Sequence, residues 1–215
     1  MQKKVDTDDA PVKTESLRDK GRRETREALI KAAEELMSVN GFLNVTMQEV
    51  ADRAGTHVQP LYAHFPNKYA LGSAASVESF RIAIAERNTD TITFWRDWVE
   101  QQAHVALAAD TGTQVRQFVA DQKSETRLAP LTKAISFDYT DLLTRHVATD
   151  FGLDPKLDLR PKLVAHMLWA AHEHAMLEWQ EADDGHDLVA GVHRAIDQVA
   201  NIVNLVRAAQ DVAGN

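Results

Sequence analysis

The hydrophobic positions of this chain recur at helical spacing over most of its length, and no stretch alternates apolar and polar residues as a strand would. The first helical pattern covers about residues 23–40 and stops before Gly41, a residue suited to ending a helix. Five later helical patterns cover roughly residues 90–110, 113–124, 128–150, 159–181 and 187–209. Asp158 is the expected cap of the fourth of these. The predicted fold class is all-α.

A short helix is predicted to begin at Thr46. Thr46 is followed three positions later by Glu49, the spacing of a capping box, in which each side chain accepts a hydrogen bond from the other residue's backbone N–H. Gly55 supplies the end of this helix. Further along, Asn67 is the expected cap of a longer helix.

Pro60 indicates where a second short helix, between Gly55 and Asn67, begins. Proline has no backbone N–H, which matters at the fourth helical position but not at the third, where no intrahelical partner is required. A helix that starts after His57 and runs to about His64 places Pro60 third. The sequence therefore predicts two short helices joined by a glycine-containing turn.

The composition is that of a globular protein, with 44% hydrophobic and 26% charged residues. The chain has no cysteine, which excludes disulfides and thiol chemistry. It has no apolar run of about 18 residues and no apolar segment near its start that would suggest secretion. A cytoplasmic protein without membrane contact is expected.

Charge is distributed unevenly along the chain. Residues 1–72 carry 11 basic and 11 acidic side chains, whereas residues 73–215 carry 13 and 21, so the second region holds the whole net charge of −8. Residues 13–31 contain seven basic and four acidic residues. That local excess suits a phosphate partner, and a solvated helix face explains it about as well. Residues 1–21 are predicted to form a flexible polar and basic arm. Arg18 and Lys20, with Arg22 and Arg23 just beyond it, could enter a DNA minor groove, and plain disorder is the alternative.

A capped short helix, a turn and a second short helix form the helix-turn-helix pattern of DNA-binding proteins. Any pair of short helices in an all-α protein is the alternative. The further residues in TMQEVADRAGTHVQPLYAHFPNKYAL (residues 46–71) resemble the DNA-binding signature of the TetR family, the tetracycline-repressor-like transcriptional regulators. The matching positions are Thr46, Val50, Ala51, Ala54, Gly55, Leu61, Tyr62, His64, Phe65, Asn67, Lys68 and Leu71.

The resemblance implies a three-helix DNA-binding domain over residues 22–72 and a helical ligand-binding and dimerisation domain over residues 73–215. It also implies contacts with the phosphate backbone, which position a protein on DNA without reading sequence. Base reading would fall to the front of the recognition helix, where Gln59 can pair with adenine. The implied backbone contacts are Thr46, Tyr62, His64 and Lys68, and the implied base-reading residues are His57, Val58, Gln59 and Pro60. Leu61 and Phe65 are expected in the core.

The sequence departs from the family pattern immediately after Gly55. Thr56 stands where the family usually has an apolar residue, and His57 stands where it usually has a serine cap. Base preference is therefore expected to differ from that of relatives at this point. A helical sensor that has lost DNA binding is the alternative that these two positions leave open.

The last helical pattern is apolar on more than one side. One stripe is complemented by further apolar residues, which favours a homodimer through the last two helices, in agreement with the resemblance. A two-fold dimer predicts a palindromic operator. The stripe comprises Leu188, Val192, Ala195, Val199, Ile202 and Val206, and the further residues are Ile196, Val203 and Leu205.

The middle helices are expected to enclose a pocket for a small-molecule effector, with core packing as the alternative for each aromatic residue. The candidates are Trp95, Trp98, His104, Phe118, Phe137, Tyr139, His166, Trp169 and Met176. The histidines near residue 170 do not form a metal pattern, because His166 and His174 lie about 80° apart on a helix and His172 points away from both. No metal, cofactor or catalytic residue is expected.

The resemblance implies a ligand-responsive transcriptional regulator, most often a repressor, that releases its double-stranded DNA operator when an effector binds. An enzyme is the alternative class. The sequence contains no glycine-rich phosphate loop, no H-E-x-x-H and no G-x-S-x-G motif. An acid/base site built from His and Asp stays open, although no residue pattern points to one.

Overall fold

The structure, a computed structural model, describes residues 16–107, Arg116, 129–182 and 187–213. Every regular element in those residues is a helix, which confirms the all-α prediction. The chain divides into two compact units between Lys68 and Tyr69. The helices are α1 (Leu17–Asn40), a 3-10 turn (Phe42–Asn44), α2 (Met47–Arg53), α3 (Val58–His64), α4 (Lys68–Ala85), α5 (Thr91–Leu107), α6 (Ala129–Phe151), α7 (Arg160–Glu181) and α8 (Leu188–Ala213).

Helix α1 begins at Leu17, earlier than the apolar pattern predicted. Ser16 caps it by accepting a hydrogen bond from the Asp19 N–H, and an ion pair between Arg23 and Glu27 supports the first turns. Apart from the exposed Leu17 this segment is polar, so it carries no hydrophobic periodicity. Leu17 to Gly21, assigned above to a flexible arm, are helical, while residues 1–15 of that arm lie outside the described residues.

The helix-turn-helix region forms as its local signals predicted. Thr46 and Glu49 make both hydrogen bonds of the capping box. Gly55 follows α2 with φ +69°, a left-handed conformation that favours glycine and turns the chain. His57 is the N-cap of α3, so Pro60 occupies the third helical position and interrupts no intrahelical hydrogen bond.

A small apolar core holds this first unit together. Leu61 and Phe65 are buried, as predicted, in the unit whose other buried side chains come from α1, from Val45 and from α2. The Arg53 guanidinium on α2 also pairs with the Glu35 carboxylate on α1, at 2.6 Å. The buried residues of α1 and α2 are Leu29, Ile30, Ala32, Ala33, Val50 and Ala51.

In the second unit the observed helices match four of the five later predictions, and the segment predicted at 113–124 lies outside the described residues apart from Arg116. The start of α7 differs in detail. Its N-cap position is Leu159, and the Asp158 carboxylate one residue earlier accepts from the Arg160 backbone N–H at 2.9 Å and from the Arg160 side chain. Pro161 lies in the first turn, where its missing N–H is tolerated.

The buried face of α8 is rotated from the predicted stripe. Ile196 and Val203 face the core, whereas Ile202 and Val206 are exposed, 46% and 48% respectively. The helix is apolar on more than one side, so the sequence pattern alone does not select the inward face. The residues of α8 buried in the core are Leu188, Val192, Ile196, Val199 and Val203.

Candidate nucleic-acid and effector sites

Helix α3 presents a polar face to solvent and an apolar face to the core. Leu61 is fully buried, while its neighbour Tyr62 is 51% exposed. Because α3 is anchored through Leu61 and by Phe65 just beyond its end, its remaining side chains are held at the surface. Of the residues predicted to contact DNA here, His57, Gln59, Pro60 and Tyr62 are exposed, and Val58 and His64 are half-buried.

The end of α3 lies beside basic residues of α1. Burial, and then the positive charges of Arg22 and Arg26, lower the pKa of His64 below its usual value. The imidazole is therefore uncharged at neutral pH and offers a hydrogen bond rather than a charge to an anion. The Arg26 guanidinium lies over the Phe65 ring, 5.1 Å from its centroid. Sequence reasoning placed Arg22 in a basic helix or arm, but only the packing brings it close to His64.

Lys68 stands at the start of α4 with its ammonium 4.8 Å from the centroid of the Phe42 ring. Burial lowers its pKa, and the Glu49 carboxylate partly opposes that effect. The aromatic contact and the nearby carboxylate orient this cation within the first unit. Lys68 is half-buried.

Thr46 is engaged in the capping box. Its N–H and its hydroxyl both donate to Glu49 Oε2, at 2.7 and 2.8 Å, and its hydroxyl oxygen accepts from the Glu49 N–H at 3.2 Å. These hydrogen bonds lower the pKa of Glu49, so the carboxylate stays charged. A phosphate at this point would meet that negative charge, and the contact of Thr46 with the DNA backbone stays a prediction.

The second unit contains a cluster of aromatic rings, here called the aromatic cluster. At its centre the Tyr139 ring stacks on Trp169 with centroids 5.2 Å apart, and it lies 5.0 Å from Phe80 and 5.7 Å from Trp95. The Tyr139 hydroxyl is 2.8 Å from Ser76 Oγ, and burial raises the pKa of Tyr139 to about 12. The cluster comprises Phe80, Phe94, Trp95, Trp98, Tyr139, Trp169 and His172.

The aromatic cluster includes four of the predicted pocket residues, Trp95, Trp98, Tyr139 and Trp169. His104, Phe137 and His166 are exposed instead, and Phe118 lies outside the described residues. Phe137 differs from Tyr139 because two positions along a helix correspond to a rotation of about 200°. His104 lies 3.6 Å from Glu100, and His166 Nδ1 lies 2.8 Å from the Lys162 carbonyl. Met176 is half-buried and packs against the core.

His172 belongs to this site although the sequence suggested no role for it beyond metal binding, which its direction on the helix disfavoured. Its ring lies 5.9 Å from Trp95 and 5.7 Å from Trp169. Burial lowers its pKa to about 4, so the ring is neutral at neutral pH. Its position three residues after Trp169 on one helix was the available signal.

The histidines do not gather into a metal site within the described part of the chain, where no three His, Asp or Glu side chains form a ligand group. His174 pairs with Glu178 on the surface. None of the described helices is long and apolar enough to cross a bilayer.

The fold and the exposed α3 face define a helix-turn-helix protein with a separate all-α unit. The model of bacterial regulatory proteins of the tetR family matches residues 29–75, and the model of the MftR C-terminal domain matches residues 135–204. Together the two matches cover just over half of the chain. The chain belongs to the TetR family of bacterial regulatory proteins and is a DNA-binding transcriptional regulator.

Solved structures are similar to this chain at low sequence identity. A TetR transcriptional regulator from Rhodococcus sp. RHA1 is 17% identical, with a TM-score of 0.50 over 84% of this chain and 97% of its own. SmeT, the repressor of the Stenotrophomonas maltophilia multidrug efflux pump SmeDEF, is 22% identical, with a TM-score of 0.45 over 83% and 91%. FadR from Bacillus subtilis, in complex with stearoyl-CoA, is 17% identical, with a TM-score of 0.45 over 80% and 96%. No curated protein matches the chain.

Proposed function

We propose that this chain is a ligand-responsive transcriptional repressor. It binds a palindromic operator as a homodimer and releases the operator when a small molecule binds its second unit. The observation that carries the proposal is the exposed face of α3, held by a buried Leu61 in a unit that the tetR family model matches. A bacterial regulator of this kind works on chromosomal DNA, so we place it in the cytoplasm.

The proposed DNA contacts divide by chemistry. Gln59 is exposed near the start of α3, where its amide can pair with an adenine edge through two hydrogen bonds. Tyr62 and Lys68 offer donors to phosphate oxygens, and neutral His64 offers a ring N–H. His57, Val58 and Pro60 complete the base-facing front of the helix.

The proposed dimer contact is the exposed apolar part of the last two helices. Leu205 on α8 is 71% exposed, and Leu163 on α7 is 52% exposed. Ile202 and Val206 extend the apolar surface along α8. Covering such side chains with a second copy removes apolar area from water, which stabilises the association. In light scattering, the unmodified chain should have the mass of a dimer, and Leu205→Glu should shift it toward the monomer.

The proposed effector site is the partly exposed edge of the aromatic cluster, where Trp98 and Trp169 line an apolar surface. A ligand that binds the DNA-released state more tightly than the DNA-bound state shifts the population toward release. The ligand and the operator then weaken each other's binding by the same factor.

A fluorescence-anisotropy titration tests this function. Labelled DNA from the region upstream of the chain's own gene is compared with a scrambled duplex at two salt concentrations. The upstream DNA should bind more tightly, and the affinity should fall steeply with salt because phosphate contacts release counterions. Equal binding to both duplexes, or no salt-sensitive binding to either, would contradict the proposal.

A further inference from the structure

Two polar atoms in the aromatic cluster are buried without a hydrogen-bond partner, namely Trp169 Nε1 and His172 Nδ1. Two other polar groups of the cluster are hydrogen-bonded, since Trp95 Nε1 donates to the Leu168 carbonyl at 3.2 Å and the Tyr139 hydroxyl lies 2.8 Å from Ser76 Oγ. A buried unpaired nitrogen costs free energy, so each such atom in a folded protein needs an explanation. Trp169 and His172 are one helical turn apart on α7, with ring centroids 5.7 Å apart.

The donor and acceptor properties of these two nitrogens limit which chemical group can hydrogen-bond to both of them. The indole N–H is a donor only. The imidazole is neutral at neutral pH and carries one ring proton. Of the two ring nitrogens of His172, Nδ1 is the one that is buried and unpaired, so we assign the ring proton to Nε2, and Nδ1 is then an acceptor. A matching group must accept from Trp169 and donate to His172.

A hydroxyl group does both at once, because its oxygen accepts while its O–H donates. A carboxylate has no proton to give to His172, and an ammonium has no lone pair for Trp169. The surroundings specify the rest of the molecule. Trp169 and Tyr139 form a stacked apolar platform, with an interplanar angle of 26°, and Trp169 remains partly exposed. A flat aromatic ring complements that platform.

We propose that the effector is a neutral phenolic compound whose hydroxyl group bridges Trp169 Nε1 and His172 Nδ1. This inference rests on the proposed function, since it names the chemical class of the effector. It also assigns His172 as the residue that selects a hydroxyl group over a carboxylate. An apolar analogue would leave both nitrogens unpaired, and binding sites built around buried polar groups reject such analogues strongly.

Calorimetric titration of the purified full chain at pH 7 tests the proposal with three probes of one shape, namely 4-propylphenol, propylbenzene and 4-propylbenzoate. The phenol should bind at least about tenfold more tightly than the other two, because only its hydroxyl group can form both hydrogen bonds without bringing a charge into the site. Equal affinities, a preference for the benzoate, or no binding of the phenol would overturn the proposal. This comparison needs no variant.

Variants then locate the hydroxyl group. His172→Phe and Trp169→Phe keep an aromatic ring but remove the polar atom, so each should lower the ratio of phenol affinity to propylbenzene affinity about tenfold. His174→Phe is the matched control, because His174 is exposed on the same helix, and it should change neither affinity. Equal losses for phenol and propylbenzene in the two cluster variants would overturn the bridging role. If the DNA titration succeeds and the phenol fails, only the inference fails; if the phenol binds and the DNA titration fails, the repressor function fails instead.

Discussion

The first unit and the second unit, here also called the body, differ in which side chains they bury at their candidate sites. In the first unit, apolar Leu61 is buried so that the polar residues beside it on α3 are held at the surface. In the body, the polar nitrogens of Trp169 and His172 are themselves buried among aromatic rings. A surface of donors suits a large, charged and hydrated partner such as DNA, whereas a few buried polar atoms in an apolar setting suit a small neutral molecule.

Leu61→Ala should have the largest effect on stability among the substitutions that test this comparison. Removing a fully buried leucine side chain should lower the free energy of unfolding of the first unit by roughly 2–5 kcal/mol, because apolar burial is lost and a cavity is left. Urea unfolding followed by circular dichroism measures it. Tyr62→Ala, one position along, is the control and should cost less than about 1 kcal/mol because its side chain is half exposed. Equal costs at the two positions would contradict the assignment of buried and exposed faces.

His172 provides a test by pH. Its folded-state pKa is about 4, against about 6.5 when unfolded, so between these values the unfolded chain binds a proton that the folded chain does not. Stability contributed by this group is therefore intact above pH 6.5 and falls as pH drops toward 4, by about 3 kcal/mol in total.

Urea unfolding at several pH values should show that this loss is absent in His172→Phe and present in His174→Phe. Other groups titrate in the same range, so the difference between the two variants is the informative quantity. An identical pH dependence in both variants would show that His172 is not buried in the folded protein.

Thr46→Ala should have a smaller effect, because it removes one capping box at the surface. The expected loss is about 1 kcal/mol, since the N-cap hydroxyl no longer accepts from the Glu49 N–H. Thr46→Ser keeps the hydroxyl and should restore most of the stability. If Thr46→Ala unfolds like the unmodified chain in urea, the capping box does not stabilise α2.

Pro60→Ala is expected to have the smallest effect. At the third helical position proline is compatible with α3, and it restricts the unfolded chain, so its loss should cost only about 0.5 kcal/mol. Differential scanning calorimetry can resolve the shift. A gain in stability would indicate that Pro60 strains the start of the helix.

Local signals explain why the first unit could be predicted. Gly55, the capping box and Pro60 each act within a few residues, and together they set the bounds of α2 and α3. The start of α1 was not predicted because its first turns are polar apart from Leu17 and carry no hydrophobic periodicity. Ser16 followed by Asp19 three residues later was the available clue.

The effector site was predictable only in part, because its members come from separate helices. Trp169 and Tyr139 are aromatic and were selected by residue type, and so was Phe137, which faces solvent. Phe80 was missed because the contact that places it in the cluster, 5.0 Å from Tyr139, joins positions 59 residues apart in the chain. To predict which side chains face the site, their direction on the helix must be known to within a fraction of a turn. Apolar periodicity does not give that direction for a helix that is apolar on several sides.

A paired affinity profile tests most directly whether the exposed face of α3 reads DNA. The affinities of Gln59→Ala and Tyr62→Ala are measured over a set of operators that each differ by one base pair. Gln59→Ala should lose discrimination at one base pair, by about 1–3 kcal/mol, while Tyr62→Ala should weaken binding to every operator about equally. If both variants retain the full affinity and selectivity of the unmodified chain, α3 does not contact the operator and the account is wrong.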